Sequence, residues 1–168
     1  MQAQSFRVLE VSTPTDREIA MTREFDAPRD LLWDAYTKPE LVSRWLLGPD
    51  GWTFAVCEID LRVGGEYRYV WRRTKDGHEM AMGGTFHEIV PPERMITTER
   101  FDDPWYGGEC LVTTTFTETD GRTTVVTTMR FDSQEIRDGV VKSGMASGVE
   151  TSYQRLDRML PEMAAGRG

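Results

Sequence analysis

The sequence is poor in the residues that most often build metal, redox or nucleophilic sites. Its 168 residues include only two cysteines and two histidines. Cys57 and Cys110 lack the spacing of metal ligands, and two histidines add too little to complete a zinc set. We therefore expect free thiols and no metal. No glycine-rich phosphate loop joins a strand to a helix, so we also expect no nucleotide cofactor.

Positive charge and long apolar runs are also scarce. Lys and Arg total 20 against 28 Asp and Glu, which gives a net charge of −8. An acidic chain repels phosphate backbones, so nucleic acid is not an expected partner. No apolar run approaches the roughly 20 residues of a membrane span. The first ten residues lack a basic segment followed by an apolar one, which predicts no signal peptide and a cytoplasmic location.

Large, adaptable apolar side chains are plentiful by contrast. The chain has nine Met, five Trp, five Tyr and seven Phe. A chain of this length can bury a real core and still enclose one cavity. Since no linker or internal repeat divides it, residues 1–168 are predicted to form one domain with a core over about 17–163.

After a weak alternation over residues 6–11, local patterns place one strand first, then two short helices, about six antiparallel strands and a long C-terminal helix. Residues 17–25 are typical of a strand in which Arg23 interrupts an apolar face. Asp26 is a candidate N-cap of the first helix, and Pro39 separates it from the second. Ser133 is a candidate N-cap of a long C-terminal helix that carries an apolar stripe.

Two Asp-Gly pairs, at 76–77 and 120–121, predict type I′ hairpins with two-residue loops. The first loop would pair Trp71 with Met82, Tyr69 with Gly84 and Tyr67 with Phe86. The second would pair Phe116 with Val125, Thr114 with Thr127 and Val112 with Met129. Each hairpin then has one mainly apolar face, which a slip of one residue would destroy. The fold class is therefore α+β, a curved antiparallel sheet of six to seven strands around the C-terminal helix.

Several short motifs also occur in a fixed order along residues 17–163. They are Phe25-Asp26-Ala27-Pro28, residues 32–41, residues 45–49, Asp60-Leu61-Arg62-Val63-Gly64-Gly65, residues 84–89, Pro91-Pro92-Glu93-Arg94-Met95 and residues 156–160. As an ordered set they resemble the START-like, or SRPBCC, superfamily. More narrowly, they resemble its branch of homologues of the activator of the heat-shock protein 90 ATPase.

This resemblance implies a helix-grip fold with a deep, mostly apolar cavity between the sheet and the C-terminal helix. It does not imply one activity, because members include lipid carriers, hormone receptors, polyketide cyclases and co-chaperone domains. The sequence departs from many members at Val149, which follows Gly148 where they carry an aromatic residue. That change either opens the cavity or moves the bulk to Tyr153.

The candidate ligand-binding residues are the aromatic, Met and helix residues expected to face this cavity. They are Trp45, Tyr67, Tyr69, Trp71, Met80, Met82, Phe86, Met145, Val149, Ser152 and Tyr153. Gly84 would leave room for a ligand or for the helix backbone. The alternative is that these side chains simply fill an ordinary core.

Two carboxylates, Glu58 and Glu99, are weak candidates for catalysis. Glu58 alternates with Phe54 and Val56, and Glu99 shares a face with Met95, so either could point inward. Desolvation in an apolar cavity would raise the pKa of such a group and suit it to acid–base work. The favoured alternative is a rim position or an ion pair with arginine, without catalysis.

The sequence thus favours a protein that binds an apolar or amphipathic small molecule. One alternative is a chaperone-associated interaction module of the heat-shock protein 90 activator type. A second alternative is a cyclase- or hydrolase-like enzyme.

Overall fold

The computed structural model describes residues 7–167 and has, in that part of the chain, eight strands and four helices. The elements are β1 (Glu10–Ser12), β2 (Glu18–Phe25), α1 (Arg29–Thr37), α2 (Pro39–Trp45), β3 (Trp52–Ile59), β4 (Glu66–Arg73), β5 (Glu79–Val90), β6 (Arg94–Phe101), β7 (Cys110–Thr119), β8 (Arg122–Arg130), α3 (Gln134–Lys142) and α4 (Met145–Arg167). All strand pairs are antiparallel, in the order β1-β2-β8-β7-β6-β5-β4-β3. The expected α+β helix-grip fold is confirmed, with a sheet slightly larger than predicted.

Alternation along the strands separates an inner face, which packs against α4, from an outer face. In β2 the buried residues are Ile19, Met21, Arg23 and Phe25, while their neighbours in sequence are partly exposed. Successive side chains of a strand point to opposite faces of the sheet, so these buried residues share one face. This inner face is apolar at most positions, and α4 covers it. None of the helices in residues 7–167 combines the length and apolarity needed to cross a bilayer.

The second predicted hairpin is confirmed residue by residue. Thr119 pairs with Arg122 and Phe116 with Val125, as the two-residue loop requires. Asp120 and Gly121 both have positive φ angles, 53° and 76°, which is the backbone of a type I′ turn. The turn alone therefore sets which side chains of β7 and β8 face inward.

The first hairpin has a longer loop than predicted, so its pairing is displaced by two residues. Trp71 pairs with Met80, Tyr69 with Met82 and Tyr67 with Gly84. The backbone N–H of residue 73 binds the carbonyl of residue 78 at 2.8 Å, which leaves four residues in the loop. Because side chains alternate with a period of two, a shift of two keeps every side chain on its predicted face.

A bulge in β3 overturns the predicted inward orientation of Glu58. The register with β4 shifts between Phe54 and Val56, so one extra residue lies in β3. An extra residue reverses the alternation beyond it. Phe54 points inward before the bulge and Cys57 after it, which leaves Glu58 exposed on the outer face.

The helices start and stop largely where local chemistry predicts, with two corrections. The Ser133 hydroxyl accepts a hydrogen bond from the Ile136 N–H at 3.2 Å and so caps α3. The predicted long helix is interrupted at Gly144, whose φ of 79° ends α3 before α4 begins. Asp26 does not cap α1, because the N-cap is Pro28 and the Asp26 carboxylate binds Arg122 instead. The weak alternation over residues 6–11 begins outside the described residues, and β1 covers Glu10–Ser12.

Gly84 is required by close packing within the sheet rather than by a ligand. A Cβ at this position would lie 1.8 Å from the Thr98 carbonyl oxygen and 3.0 Å from a ring carbon of Tyr67. The Tyr67 ring passes over Gly84, and its hydroxyl donates to the Thr98 carbonyl at 2.6 Å. The room predicted at Gly84 is therefore occupied by protein atoms.

We expect Gly84→Ala to destabilise the protein by about 2–4 kcal/mol, because neither the Thr98 backbone nor the β5 backbone can move without breaking sheet pairing. Gly139→Ala, in α3, is the matched control, since its Cβ would meet no atom within 4 Å. The control should be neutral or stabilising by up to about 1 kcal/mol. Urea unfolding measures both, and equal stabilities of the two variants would contradict this account of Gly84.

Candidate functional site

The buried apolar side chains under the sheet form two clusters. The first apolar cluster includes Phe25, Trp45, Tyr67, Tyr69, Met82, Phe86, Phe116, Val125, Tyr153, Leu156 and Leu160. The second apolar cluster consists of Ile19, Met21, Cys110, Met129, Phe131 and Val140. Val149 of α4 packs against both clusters, so the boundary between them lies beneath the first half of that helix.

A staggered row of polar residues separates the clusters on the inner face. It consists of Arg23 on β2, Thr127 on β8, Thr114 on β7 and Thr97 on β6. On β8, for example, Thr127 lies between Val125 of the first cluster and Met129 of the second. This polar row lies between the two apolar clusters on β2 and β8, and it defines the middle of the inner face.

Arg23 anchors α4 to the sheet at one end of the polar row. Its guanidinium donates to both carboxylate oxygens of Asp157, at 2.8 and 2.7 Å, and to both of Glu150, at 3.1 Å each. The side chain is 3% exposed, and its guanidinium carbon lies 4.9 Å from the ring centre of Phe25. A buried arginine with two carboxylates and an aromatic face fixes the position of the helix in both distance and rotation.

Glu99 of β6 points inward at the other end of the inner face. Its Oε2 accepts a hydrogen bond of 2.9 Å from the hydroxyl of Tyr106. Tyr106 lies in the loop over residues 102–109 and packs edge-on against Phe101, Trp105 and Phe131. The carboxylate is thus bound by an aromatic side chain that itself packs among other aromatic rings, and it forms no ion pair within the described residues.

Burial raises the pKa of the Glu99 carboxyl above its usual value of 4.5, and the hydrogen bond from Tyr106 opposes that shift. Desolvation and then the charge of Glu99 raise the pKa of both Tyr67 and Tyr106. The same two causes raise the pKa of the Cys110 thiol. Glu99, Tyr67, Tyr106 and Cys110 therefore form one electrostatically coupled group in which the carboxylate is the acidic member.

Along β7 and β8, the middle of the inner face is less completely covered than the ends of these strands. Val112 and Thr127 lie on the central strands β7 and β8 yet remain partly exposed, as does Val149 opposite them on α4. The Tyr69 hydroxyl has no hydrogen-bond partner within residues 7–167, although the side chain is only 8% exposed. That oxygen is not among the fully buried atoms lacking a partner, so it borders space that water can enter.

The outer face carries a separate, polar groove of about 980 Å³. Its floor includes Gly83 and Gly84, and its walls are charged side chains such as Glu58, Arg68 and Arg100. Arg68 is bonded to Asp102 across the groove at 2.7 and 2.5 Å. With so much charge in its lining, this open groove does not suit the apolar ligand expected from the sequence.

Comparison with known proteins places the chain in a family. The model of the activator of Hsp90 ATPase homolog 1-like protein family matches residues 26–161. The chain belongs to this family.

Several solved structures support the assignment, and we refer to the family below as the activator-homologue family. A protein from Rhodobacter sphaeroides is 31% identical and superposes with a TM-score of 0.87, covering 92% of this chain and 99% of its own. A protein from Chromobacterium violaceum is 26% identical with a TM-score of 0.74, covering 87% and 98%. An AHSA1-like protein from Aeromonas hydrophila, 18% identical with a TM-score of 0.66 over 83% and 92%, shares the fold. No protein with a curated functional description matches the chain significantly.

In this member of the activator-homologue family, the predicted ligand-binding residues fall into separate groups. Trp45, Tyr67, Tyr69, Met82, Phe86 and Tyr153 are buried in the first cluster, and Trp71 and Val149 pack partly buried against it. Met145 packs against the second cluster, and Ser152 is buried with its hydroxyl accepting from the Gly48 N–H at 2.8 Å. Met80 is 39% exposed and lies outside both clusters, because it pairs with Trp71 at the loop end of the hairpin.

Several of the buried aromatic residues have a structural role. The Trp45 indole N–H donates to the Ala35 carbonyl at 2.9 Å, and its ring stacks on Tyr153 at 5.8 Å. The hydroxyls of Tyr153 and Tyr36 share a hydrogen bond of 2.7 Å. Tyr153 lies one helical turn after Val149 and is buried in the first apolar cluster.

Sequence reasoning missed the roles of Arg23 and of the threonines of the polar row, and it missed the contact of Tyr106 with Glu99. A signal for Arg23 was present, because it occupies an inward position in an alternating strand. Its partners Glu150 and Asp157 are seven residues apart and therefore share one helix face. No local pattern pointed to the bond between Tyr106 and Glu99, since Tyr106 lies in a loop without regular periodicity.

We expect Arg23→Met to destabilise the protein by about 3 kcal/mol, because it leaves Glu150 partly buried without its cation. Arg72→Met is the control, since Arg72 binds Glu79 between two exposed side chains at the surface and its loss should cost less than about 1 kcal/mol. Urea unfolding of both variants measures the difference. A loss for Arg23→Met no larger than that of the control would show that the buried ion pairs do not hold α4.

The raised pKa of Glu99 predicts a pH-dependent effect of Glu99→Gln. Above pH 4.5 the folded state retains the Glu99 proton more strongly than the unfolded state, so wild-type stability falls as pH rises through this window. A glutamine side chain cannot titrate here, and it can still accept the Tyr106 hydrogen bond. The variant should therefore gain stability relative to wild type between pH 4 and pH 7.5.

Urea unfolding at the two pH values measures this gain, with Glu58→Gln on the outer face as the matched control. The groups facing Glu99 are Tyr106 from the loop, Tyr67 from β4 and Cys110 from β7. The prediction is contradicted if the stability of Glu99→Gln relative to wild type stays constant or falls as the pH rises.

Proposed function

We propose that this protein binds an apolar or amphipathic small molecule between the inner face of β6, β7 and β8 and the first half of α4. The observation that carries this proposal is the incomplete cover at the middle of the inner face. Val112 and Thr127 are partly exposed there, whereas side chains at both ends of the same strands are buried.

The polar row gives such a ligand a place between two apolar walls. Thr97 and Thr114, which are 8% and 5% exposed, supply hydroxyl groups within this row. Binding sites for small molecules typically combine mainly apolar walls with a few polar groups that orient the ligand. A ligand that buries about 200 Å² of apolar surface would gain about 5 kcal/mol before the costs of association.

The chaperone-associated alternative rests on the name of the family and on no particular surface of this chain. The enzyme alternative loses one of its two carboxylates, because Glu58 lies on the outer face. Glu99 remains inward and supports a ligand-orienting role at least as well as a catalytic one. A cytoplasmic location and a single domain over residues 1–168 remain predictions from the sequence.

We expect wild-type protein to bind N-phenyl-1-naphthylamine, an apolar dye that fluoresces when it leaves water, with a stoichiometry near one. Val112→Phe should weaken binding at least tenfold, because the added ring would occupy the space beneath β7. Val141→Phe is the matched control, since Val141 is 45% exposed on α3 and should leave binding unchanged.

A fluorescence titration measures all three proteins, and circular dichroism checks that each is folded. Absence of dye binding by wild-type protein would overturn the proposed function. Equal weakening by Val112→Phe and Val141→Phe would place the dye elsewhere and would overturn the location proposed for it.

A further inference from the structure

The surroundings of Glu99 indicate what kind of polar group the ligand carries. Only one of its carboxylate oxygens, Oε2, is used within the described residues, and it binds Tyr106. Oε1 has no hydrogen-bond partner among residues 7–167, and it is not a fully buried atom. It therefore borders space that a ligand group or water can reach.

The positive charges buried in this region are already paired. Arg23 is bonded to Glu150 and Asp157, so this group of three carries a net negative charge. The other buried arginine, Arg137, is bonded to Asp138 and to the carbonyls of residues 15 and 18. Glu99 thus adds a further negative charge to an interior that has no spare cation in the described structure.

Aromatic rings complete the environment of this carboxylate. Tyr106 donates a hydrogen bond to the Glu99 carboxylate. Phe101 lies two residues after Glu99 on the same face of β6, and the ring centres of Phe101 and Tyr106 are 5.9 Å apart. Tyr67 is close enough for its hydroxyl to be influenced electrostatically by Glu99. An acidic group among aromatic faces is the combination that binds an ammonium ion, through charge-assisted hydrogen bonds and cation–π attraction.

We propose that Glu99 is the specificity-determining residue of the inner site and that the ligand is an amphipathic amine, its ammonium group on Glu99 and its apolar part between the two clusters. This inference rests on the proposed function, since it names the ligand class of the same site. A carboxylate ligand would meet repulsion from Glu99, and an alcohol would gain a hydrogen bond without the charge.

Displacement of N-phenyl-1-naphthylamine by three ligands of equal chain length tests the proposal. Octylamine, octanol and octanoate are titrated below their critical micelle concentrations at pH 7.5. We expect octylamine to bind about tenfold more tightly than octanol, a difference of about 1.4 kcal/mol, and octanoate to bind most weakly.

Glu99→Gln should bring the affinity for octylamine to within twofold of that for octanol, because the negative charge that attracts the ammonium group is removed. The matched control, Glu58→Gln, should keep the wild-type order because Glu58 faces outward. If octylamine shows no advantage over octanol in wild type, or keeps its advantage in Glu99→Gln, the amine proposal is wrong while the binding site stands. If neither the dye nor any of the three ligands binds, the proposed function itself fails.

Discussion

The position of α4 depends on the buried contacts of Arg23. This side chain is almost completely buried in β2, and it bonds with both oxygens of Asp157 and of Glu150 on the helix. Four hydrogen bonds to two carboxylates leave little freedom in either the height or the rotation of α4 above the sheet. Since an unpaired buried arginine would be costly, the helix must dock where both carboxylates reach it.

The second half of α4 is more completely buried against the sheet than the first half. Beyond Tyr153, the residues Leu156 and Leu160 are buried and seal the first apolar cluster. Before it, Val149 bridges two clusters without being fully covered itself. Val112 and Thr127, on the strands beneath this first half of the helix, are likewise only partly covered. The proposed ligand would fill the region that the helix leaves uncovered.

Membership of the activator-homologue family accounts for the architecture and leaves the chemistry to individual side chains. Here the relevant side chains are the threonines of the polar row, the hydroxyl of Tyr69 and the inward carboxylate of Glu99. The two faces of the sheet differ sharply in character, because the outer groove is lined with charge while the inner face is largely apolar. The inner face is consequently the better candidate for an amphipathic ligand.

The sequence by itself determined the faces of the strands and most turns, because these depend on local period and on residues such as Asp120 and Gly121. The loop at residues 74–77 is two residues longer than predicted. The side chains of β4 and β5 still lie on their predicted faces, because side chains alternate with a period of two residues. Tertiary structure decided the orientation of Glu58, which a single bulge reversed, and the burial of Arg23. The partners of Arg23 lie 127 and 134 residues further along the chain. Contacts over such distances form only when the sheet and α4 pack together, so no local pattern can specify them.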